Sequence, residues 1–329
     1  MKHYFIVNPV AGKGKVQAEF VPKIMQAAKD AGIDYEIIRT INIGDAETRV
    51  KGRCEAESGV AKRFYACGGD GTLNEVANGL YGFPEAELAC IPAGTGNDFI
   101  RNFGIAEDFL NLDTQIASKS RPIDVMKYEF FDTVHRDAIL DVPLRHTGYA
   151  INMFNIGFDA NVVARTSVLK KRPLLKGKSA YIAGVVSELA TLKKIGLTVK
   201  IEDDEELSFP EVLLAGIGNG CYSGGGFDGI PMAKTDDGFI DVMVIKYMTR
   251  RMFVSLVKNY HDGTHFEEKR LADYLNHFKC KSVEIEPAHM IELAIDGEAI
   301  KVSGKMRFSI AEEKINFCVP SKKRPIQDI

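Results

Sequence analysis

Residues 63–80 read RFYACGGDGTLNEVANGL, in which a glycine loop carrying Asp70 joins an apolar run to a helical pattern. The apolar run predicts a β-strand, and residues 72–82 predict the helix that follows it. Strand patterns also occupy residues 3–9, 34–40 and 87–94, with helical patterns between them. This alternation predicts an α/β domain with a parallel sheet, whose ligands bind at the carboxyl ends of the strands.

Three further helices are expected near this core, one of them a polar helix over residues 44–58. Residues 16–31 place Phe20, Ile24, Ala27 and Ala28 at helical spacing, with Gly32 as the stop signal. Residues 97–105, which follow the last strand pattern, are expected to start another helix.

The pattern changes after about residue 122 to short runs with alternating apolar residues, which predict β-strands. One helical pattern in this part, residues 179–195, carries an apolar stripe that predicts core packing and consists of Tyr181, Val185, Leu189 and Leu192. We therefore expect an α/β domain at residues 1–122 and a β-rich domain at 123–311. Whether residues 312–329 return to the first domain is left open.

The bulk properties exclude several classes of protein. The net charge of −3 gives no overall basic field for binding nucleic acid, and no apolar run is long enough to span a bilayer. The N-terminal apolar stretch is too short for a signal peptide. The cysteines lack CxxC spacing, which favours reduced thiols in a cytoplasmic protein. They are Cys54, Cys67, Cys90, Cys221, Cys280 and Cys318.

The first glycine loop, NPVAGKGK at residues 8–15, follows a strand and precedes a helix. Its backbone N–H groups predict an anion site, to which Lys13 and Lys15 add positive charge. Its spacing differs from that of a Walker A loop. A strand–helix turn with solvated lysines is an equally good interpretation.

The second loop, GGDGTLNE, has a partly structural explanation. Thr72 and Glu75 have the spacing of a helix-capping box, which leaves Asp70 unexplained. A carboxylate beside a phosphate would repel it unless a cation lay between them, and Mg²⁺ suits that position.

The third loop, PAGTGNDF at residues 92–99, repeats the pattern with Asp98, although Asn97 or Asp98 could simply cap a helix. Two such carboxylates at one sheet edge favour metal–phosphate chemistry.

The motifs NPxAGxGK, GGDGTxNE and PxGTGNDFxR, in this order and spacing, resemble the diacylglycerol kinase catalytic domain of the lipid kinase family. Residues 216–242 are similar to the family's glycine-rich substrate-domain segment, and residues 295–298, IDGE, to its late catalytic motif. The resemblance spans nearly the whole chain. It implies an N-terminal α/β domain of the NAD-kinase and lipid-kinase type, followed by a β-sandwich-rich lipid-substrate domain.

The resemblance also implies a nucleotide site, with ATP bound in the cleft between the two domains. Asp70 and Asp98 would organise the catalytic Mg²⁺. With Lys13 and Lys15 of the first loop, the residues expected to bind the nucleotide are Asn8, Thr40, Gly68, Gly69, Asp70, Gly71, Thr72, Glu75 and Thr95.

In the IDGE segment the resemblance assigns Asp296 as the catalytic base, supported by Glu298. Without it, Asp-Gly between apolar strands predicts a hairpin turn, and a turn that delivers a base satisfies both interpretations.

A second, structural Mg²⁺ is also implied by the resemblance. Its ligands would be Asp237 and the carbonyl groups of Lys234 and Phe239, with Asp124 in the surrounding network. A simple turn at residues 237–238 competes well with this reading, and the doubled Asp236–Asp237 leaves the ligand uncertain.

The function predicted from the sequence is that of an ATP- and Mg²⁺-dependent lipid kinase, with diacylglycerol as the leading acceptor. An NAD kinase-like enzyme and a non-catalytic lipid- or nucleotide-binding regulator are the alternatives. Residues 169–178 interleave cations with leucines and are expected either to dock on a membrane or to form a solvated loop. The expected location is cytoplasmic and peripheral at the inner membrane surface, and the resemblance also allows a homodimer.

Overall fold

The structure is a computed structural model that describes residues 1–131, 134–135, 146–170 and 178–321. The chain divides into two compact units: residues 1–123 together with the described residues from 313 onward, and residues 124–312. The boundary expected from the sequence lay between residues 122 and 123.

The strands of the described residues are numbered along the chain. They are β1 (Lys2–Val7), β2 (Tyr35–Arg39), β3 (Lys62–Gly68), β4 (Ala86–Pro92), β5 (Lys119–Ile123), β6 (Met126–Phe130), β7 (Val134–His135), β8 (Thr147–Ala150), β9 (Met153–Gly157), β10 (Ile195–Ile201), β11 (Leu207–Gly218), β12 (Tyr222–Ser223), β13 (Phe227–Asp228), β14 (Ile240–Lys246), β15 (Leu275–Cys280), β16 (Ser282–Pro287), β17 (Ile291–Ile295), β18 (Glu298–Val302), β19 (Met306–Ile310) and β20 (Ile315–Val319).

The α-helices are numbered in the same way. They are α1 (Val21–Asp30), α2 (Asp45–Ala56), α3 (Asp70–Leu80), α4 (Ala106–Leu110), α5 (Leu112–Ile116), α6 (Phe158–Leu169), α7 (Lys178–Ala190) and α8 (Arg250–His261).

The first unit is built on a sheet with the strand order β2-β1-β3-β4-β20-β5, in which only the β20–β5 pair is antiparallel. Every residue of β3 is buried, as expected for a parallel strand covered on both faces. The rings of Phe5 and Tyr65 stack with centroids 4.3 Å apart in its core. This confirms the predicted α/β class and places β20 beside β4.

The register of the sheet brings the glycine loops to one edge. Val7 lies opposite Cys67, and Gly68 lies opposite Pro92. The three parallel strands β1, β3 and β4 therefore end side by side, and the loops that follow them share the carboxyl edge of the sheet.

The helices differ from the expectations in four places: the one expected from residue 97 does not form, and α4, α5 and α6 were not predicted. Ile24, Ala27 and Ala28 are buried on α1, as their spacing predicts. The helix expected from residue 97 is wrong, because only a 3-10 turn forms at Phe99–Asn102. The left-handed Asn97 precedes this turn and the extended Ile105 follows it, which leaves too few residues for a helix. Helix α6 was not predicted, because its apolar residues do not segregate to one face.

The second unit is an antiparallel, β-sandwich-like domain, as predicted. Its main sheet has the order β7-β18-β17-β9-β11-β10-β16-β19-β6-β8, and β14 joins β11 to β15. Aromatic and branched side chains from strands along this order, such as Phe154 of β9, Val199 of β10 and Phe308 of β19, form one buried core.

Helices α7 and α8 pack outside that core and enclose a small cavity. The stripe residues Tyr181, Val185 and Leu189 of α7 line this cavity together with Phe253 and Tyr260 of α8. The expected core packing of the stripe is thus only partial.

Two further observations bear on the bulk expectations. Among the described residues, no helix is long and apolar enough to cross a membrane. The six thiols are free and five are buried. Burial raises the pKa of the Cys54 thiol to about 12, which suppresses the reactive thiolate.

Candidate active site

The loop after β1 is fastened to the start of α3 by a side-chain bridge. Asn8 Nδ2 donates a hydrogen bond to Thr72 Oγ1 over 3.2 Å. A Cβ atom at Gly68 would lie only 2.3 Å from the same oxygen, so a glycine is required there. Thr72 lies in the first turn of α3 and Gly69 is the N-cap, which means that the expected Thr72 cap is wrong.

Glu75, the other half of the expected capping box, holds a different helix. Its two carboxylate oxygens accept hydrogen bonds from the backbone N–H groups of Gly44 (2.9 Å) and Ala46 (3.1 Å) at the start of α2. Burial raises the pKa of Glu75, and the two N–H donors partly oppose that rise. This carboxylate therefore supports the α2 end of the site, and its predicted nucleotide contact stays a prediction.

The three glycine loops pack against one another through their backbones. A Cβ atom at Gly94 would lie 2.6 Å from the Cα atom of Gly69, and one at Gly12 would lie 3.3 Å from the carbonyl oxygen of Ala93. Side chains at these glycines would force the loops apart. The result is a continuous backbone surface at the carboxyl edge of the sheet, beside the N–H groups of the first α3 turn.

Asp70 and Asp98 converge on this surface. Asp70 Oδ1 accepts the backbone N–H of Asp98 over 2.8 Å, which fixes the third loop to the start of α3. The Oδ2 atoms of Asp98 and Asp70 lie 3.0 and 3.2 Å from the point where a Cβ atom of Gly96 would be. The two predicted metal ligands therefore face the space that a side chain at residue 96 would occupy. We call this space the Gly96 cradle, and it is open only because residue 96 is a glycine.

The other predicted nucleotide contacts lie in the same unit. Thr40 is buried and donates its backbone N–H to Val7 O over 2.9 Å. Lys13 has a left-handed backbone with φ 61° and an exposed side chain, and Lys15 and Thr95 are also exposed. Gly71 is half-buried in the first turn of α3, next to Asp70.

Asp296 occupies the β17–β18 turn in the second unit. Both Asp296 and Gly297 have positive φ, 45° and 88°, as a tight two-residue hairpin requires. The Asp296 carboxylate is 5% exposed and accepts three backbone N–H bonds from residues 151–153. Glu298 follows on the same hairpin with an exposed side chain. The turn is thus established, whereas the predicted base role is untested by this geometry.

The predicted structural metal position contains an ion pair. Asp237 Oδ2 accepts a hydrogen bond from Lys279 Nζ over 2.6 Å, and this bond raises the pKa of Lys279. Asp237 Oδ1 accepts the N–H of Phe239. Asp124 Oδ2 accepts the N–H of Gly238 over 2.6 Å, which places Asp124 in the network beside Asp237 as predicted. Lys234 is exposed, and among the described residues no group of three or more acidic, His or Cys side chains is placed so that it could hold a metal ion.

A buried polar pair in the second unit was not predicted from the sequence. Tyr260 donates a hydrogen bond to Asp159 Oδ2 over 2.5 Å inside the cavity of about 70 Å³ behind α7 and α8. Burial raises the pKa of Asp159 to about 6, and the bond from Tyr260 opposes this rise. Asp159 went unnoticed because it follows a strand pattern directly and belongs to no motif.

Comparison with known proteins agrees with the motifs. Residues 2–128 match the diacylglycerol kinase catalytic domain, and residues 152–313 match the YegS C-terminal NAD kinase beta sandwich-like domain. The chain belongs to the lipid kinase family that carries these two domains. It is therefore a kinase, and both halves of the family architecture are present in their expected order.

Relatives of the kinase match over most of their length. A protein of Pseudomonas aeruginosa named "Probable lipid kinase YegS-like" is 29% identical over 92% of this chain and 90% of its own. The diacylglycerol kinase of Bacillus subtilis is 28% identical over 89% and 88%. A crystal structure of a diacylglycerol kinase from Bacillus anthracis covers 97% of both chains with a TM-score of 0.66 and 24% identity, which supports the fold alone.

Two further predictions, the docking segment and the homodimer, also stay untested. Most of the proposed docking segment at 169–178 lies outside the described residues, and Lys170 at its start is exposed. The homodimer likewise stays a prediction.

Proposed function

We propose that the kinase transfers the γ-phosphoryl group of ATP to a lipid hydroxyl, with diacylglycerol as acceptor and phosphatidic acid as product. The observation that carries the proposal is the convergence of Asp70 and Asp98 on the Gly96 cradle, at the edge where the glycine loops expose backbone N–H groups. Relatives named lipid kinase and diacylglycerol kinase support the acceptor class.

The phosphates of ATP would bind to the backbone surface of the packed loops. Phosphate oxygens are stabilised by backbone N–H groups and by the positive end of a helix, and α3 begins at this edge. The exposed Lys13 and Lys15 add positive charge beside the first loop. This surface would orient the triphosphate of ATP. Orientation accounts for much of the rate enhancement in enzymatic phosphoryl transfer.

The carboxylate pair fits a divalent cation. Two carboxylates directed at one point repel each other, and Mg²⁺ typically takes one or two carboxylates together with phosphate oxygens and water. Asp70 and Asp98 would hold Mg²⁺, which neutralises charge on the phosphates when it is bound. The bond from the Asp98 backbone N–H holds the Asp70 carboxylate, and Arg101 Nε lies 3.6 Å from Asp98 Oδ1.

The acceptor hydroxyl must lose its proton as its oxygen forms the bond to phosphorus and ADP leaves. Asp296 is our candidate for the group that takes this proton, with Glu298 as its acidic neighbour. Because three N–H groups already hold the Asp296 carboxylate, it has a structural role as well. A base role alone predicts that Asp296→Asn keeps the wild-type free energy of unfolding, whereas the structural role predicts that this free energy falls.

The test uses purified protein, radiolabelled ATP, Mg²⁺ and mixed micelles containing diacylglycerol, with NAD as the soluble alternative acceptor. We expect label in phosphatidic acid and its loss in Asp98→Asn. Label in NADP alone would favour an NAD kinase. Absence of label from diacylglycerol, from other lipid alcohols and from NAD would overturn the proposal.

A further inference from the structure

Asp237 has a fixed cationic partner within its own chain. Its Oδ2 atom lies 2.6 Å from Lys279 Nζ, a hydrogen-bonded ion pair, and its Oδ1 atom accepts the N–H of Phe239 over 3.1 Å. Both carboxylate oxygens are therefore already engaged by donors. This is the side chain that the family resemblance assigns to a structural Mg²⁺.

The position of Lys279 is set by the sheet. Strand β15 pairs with β14 so that Lys279 lies opposite Asp241, and Asp241 is fully buried. The Lys279 ammonium also lies 5.7 Å from the centroid of the Phe239 ring, within the range of a cation–π contact. The strand thus delivers the ammonium to the 234–239 loop from outside that loop.

A second cation reinforces this arrangement. The Lys281 ammonium lies 5.9 Å from the centroid of the same Phe239 ring, so two ammonium groups lie close to this ring. A divalent ion bound to Asp237 would face the Lys279 charge at short range, and like charges at such distances repel. To bind there, the ion would have to displace an ammonium held by Asp237 and the Phe239 ring.

Asp124 does not change this conclusion. Its Oδ2 atom accepts the N–H of Gly238 over 2.6 Å, and its backbone N–H donates to Thr235 O over 2.6 Å. Through these two bonds residue 124 holds the backbone on both sides of the Asp236–Asp237 segment, and neither bond involves a metal ion.

We propose that the Lys279 ammonium takes the place of a divalent cation at Asp237, so that the 234–239 loop is held by an internal ion pair. Stability of the second unit is then independent of divalent ions. Replacing Lys279 by an apolar side chain of similar length vacates the position and creates a divalent-cation site that the native chain lacks.

The test is thermal unfolding of the full chain without nucleotide, in EDTA and in Mg²⁺, Mn²⁺ or Ca²⁺, for wild type, Asp237→Asn, Lys279→Met and Lys281→Met. We expect the wild-type and Lys281→Met midpoints to respond equally to the ions, and Asp237→Asn to leave that response unchanged, because it comes from ions bound at Asp70 and Asp98. Lys279→Met should unfold at a lower temperature in EDTA and regain roughly 2–4 °C more than wild type does when a divalent ion is added. The double variant Asp237→Asn/Lys279→Met should lose that gain, which separates this site from ions bound at Asp70 and Asp98.

Two results would overturn the proposal. One is a wild-type midpoint that falls in EDTA and recovers with Mg²⁺, provided that Asp237→Asn abolishes this response. The other is a folded Lys279→Met protein whose midpoint responds to all three ions no more than that of wild type. If Lys279→Met does not fold, Lys279→Arg keeps the charge and must respond to divalent ions no more than wild type does. A Lys279→Arg midpoint that depends on them more strongly contradicts the proposal as well.

Discussion

Asp296 and Met153 are joined by two reciprocal hydrogen bonds. Asp296 Oδ1 accepts the N–H of Met153 over 2.9 Å, and the N–H of Asp296 donates to Met153 O over 3.0 Å. The same carboxylate also accepts the N–H groups of Ile151 and Asn152. The β17–β18 turn is thereby fixed to the start of β9, so the candidate base is also a structural residue.

Asp296→Asn should lower the free energy of unfolding as well as turnover. An amide group in place of Oδ2 directs N–H atoms at the N–H of Ile151, which leaves a buried donor without an acceptor. Such a loss costs about 1–3 kcal/mol. Urea unfolding monitored by circular dichroism measures the first effect, and phosphorylation of diacylglycerol in micelles measures the second.

Glu298→Gln is the matched control, since Glu298 is exposed on the same hairpin. Its unfolding free energy should stay within about 0.5 kcal/mol of the wild-type value. If Asp296→Asn unfolds at the wild-type urea concentration, the structural role of the three N–H bonds is refuted. If it retains wild-type turnover, the base assignment is refuted.

Asp98→Asn should remove most turnover without unfolding the protein. The substitution removes one of the two charges at the Gly96 cradle, while the backbone N–H that binds Asp70 Oδ1 remains. We expect turnover to fall on the order of 100-fold. Initial rates over a range of Mg²⁺ concentrations should show that more Mg²⁺ is needed for half-maximal activity.

Asp113→Asn provides the control, because this exposed carboxylate lies on α5 in the same unit. Its rates and Mg²⁺ dependence should match those of wild type. An Asp98→Asn enzyme with an unaltered Mg²⁺ dependence would contradict the assignment of this carboxylate to the metal.

Gly94→Ala tests whether the close packing of the loops is needed. The added Cβ atom would lie 2.6 Å from the backbone of Gly69, so one loop must move. We expect weaker ATP binding, measured by isothermal titration calorimetry, and a lower midpoint of thermal unfolding. Gly52→Ala is the control: its Cβ atom meets no atom within 4 Å, and alanine favours the helical conformation of α2. ATP affinity reduced equally by both substitutions would argue against a role for loop packing.

The fold was predictable wherever a local pattern carries the information. Alternation of strands and helices predicts the parallel sheet of the first unit, because each parallel crossover needs a helix. The carboxyl ends of parallel strands lie at one edge of their sheet, which is why Asn8, Gly69 and Ala93 could be expected together there. The glycine contacts, such as Gly69 with Gly94, explain why these loops have so few side chains.

What the sequence did not provide are partners that lie far apart along the chain. Glu75 has the spacing of a cap for its own helix but binds the N–H groups that begin α2. Asp237 has the spacing of a metal ligand or a turn, but its partner Lys279 lies on a strand 42 residues later. Local spacing cannot reveal such pairs, because they depend on which strands become neighbours.

The Asp159–Tyr260 pair predicts a pH-dependent effect of substitution. Burial raises the pKa of Asp159 from 3.8 to about 6 in the folded protein, so its protonated form favours folding. This contribution is complete below the unfolded pKa near 4 and is lost as the pH rises through about 6. Asparagine is neutral throughout, so Asp159→Asn should gain stability relative to wild type between pH 5 and pH 8, by on the order of 1–2 kcal/mol.

Urea unfolding at pH 5 and pH 8 measures this difference, and Tyr260→Phe supplies an independent check. The Tyr260 hydroxyl group stabilises the charged form of Asp159, so its removal should raise the Asp159 pKa further. Wild-type stability would then decline less steeply over this pH range than that of Tyr260→Phe. The same stability difference between Asp159→Asn and wild type at both pH values would show that Asp159 is already charged at pH 5, because a carboxylate with an ordinary pKa no longer titrates in that range.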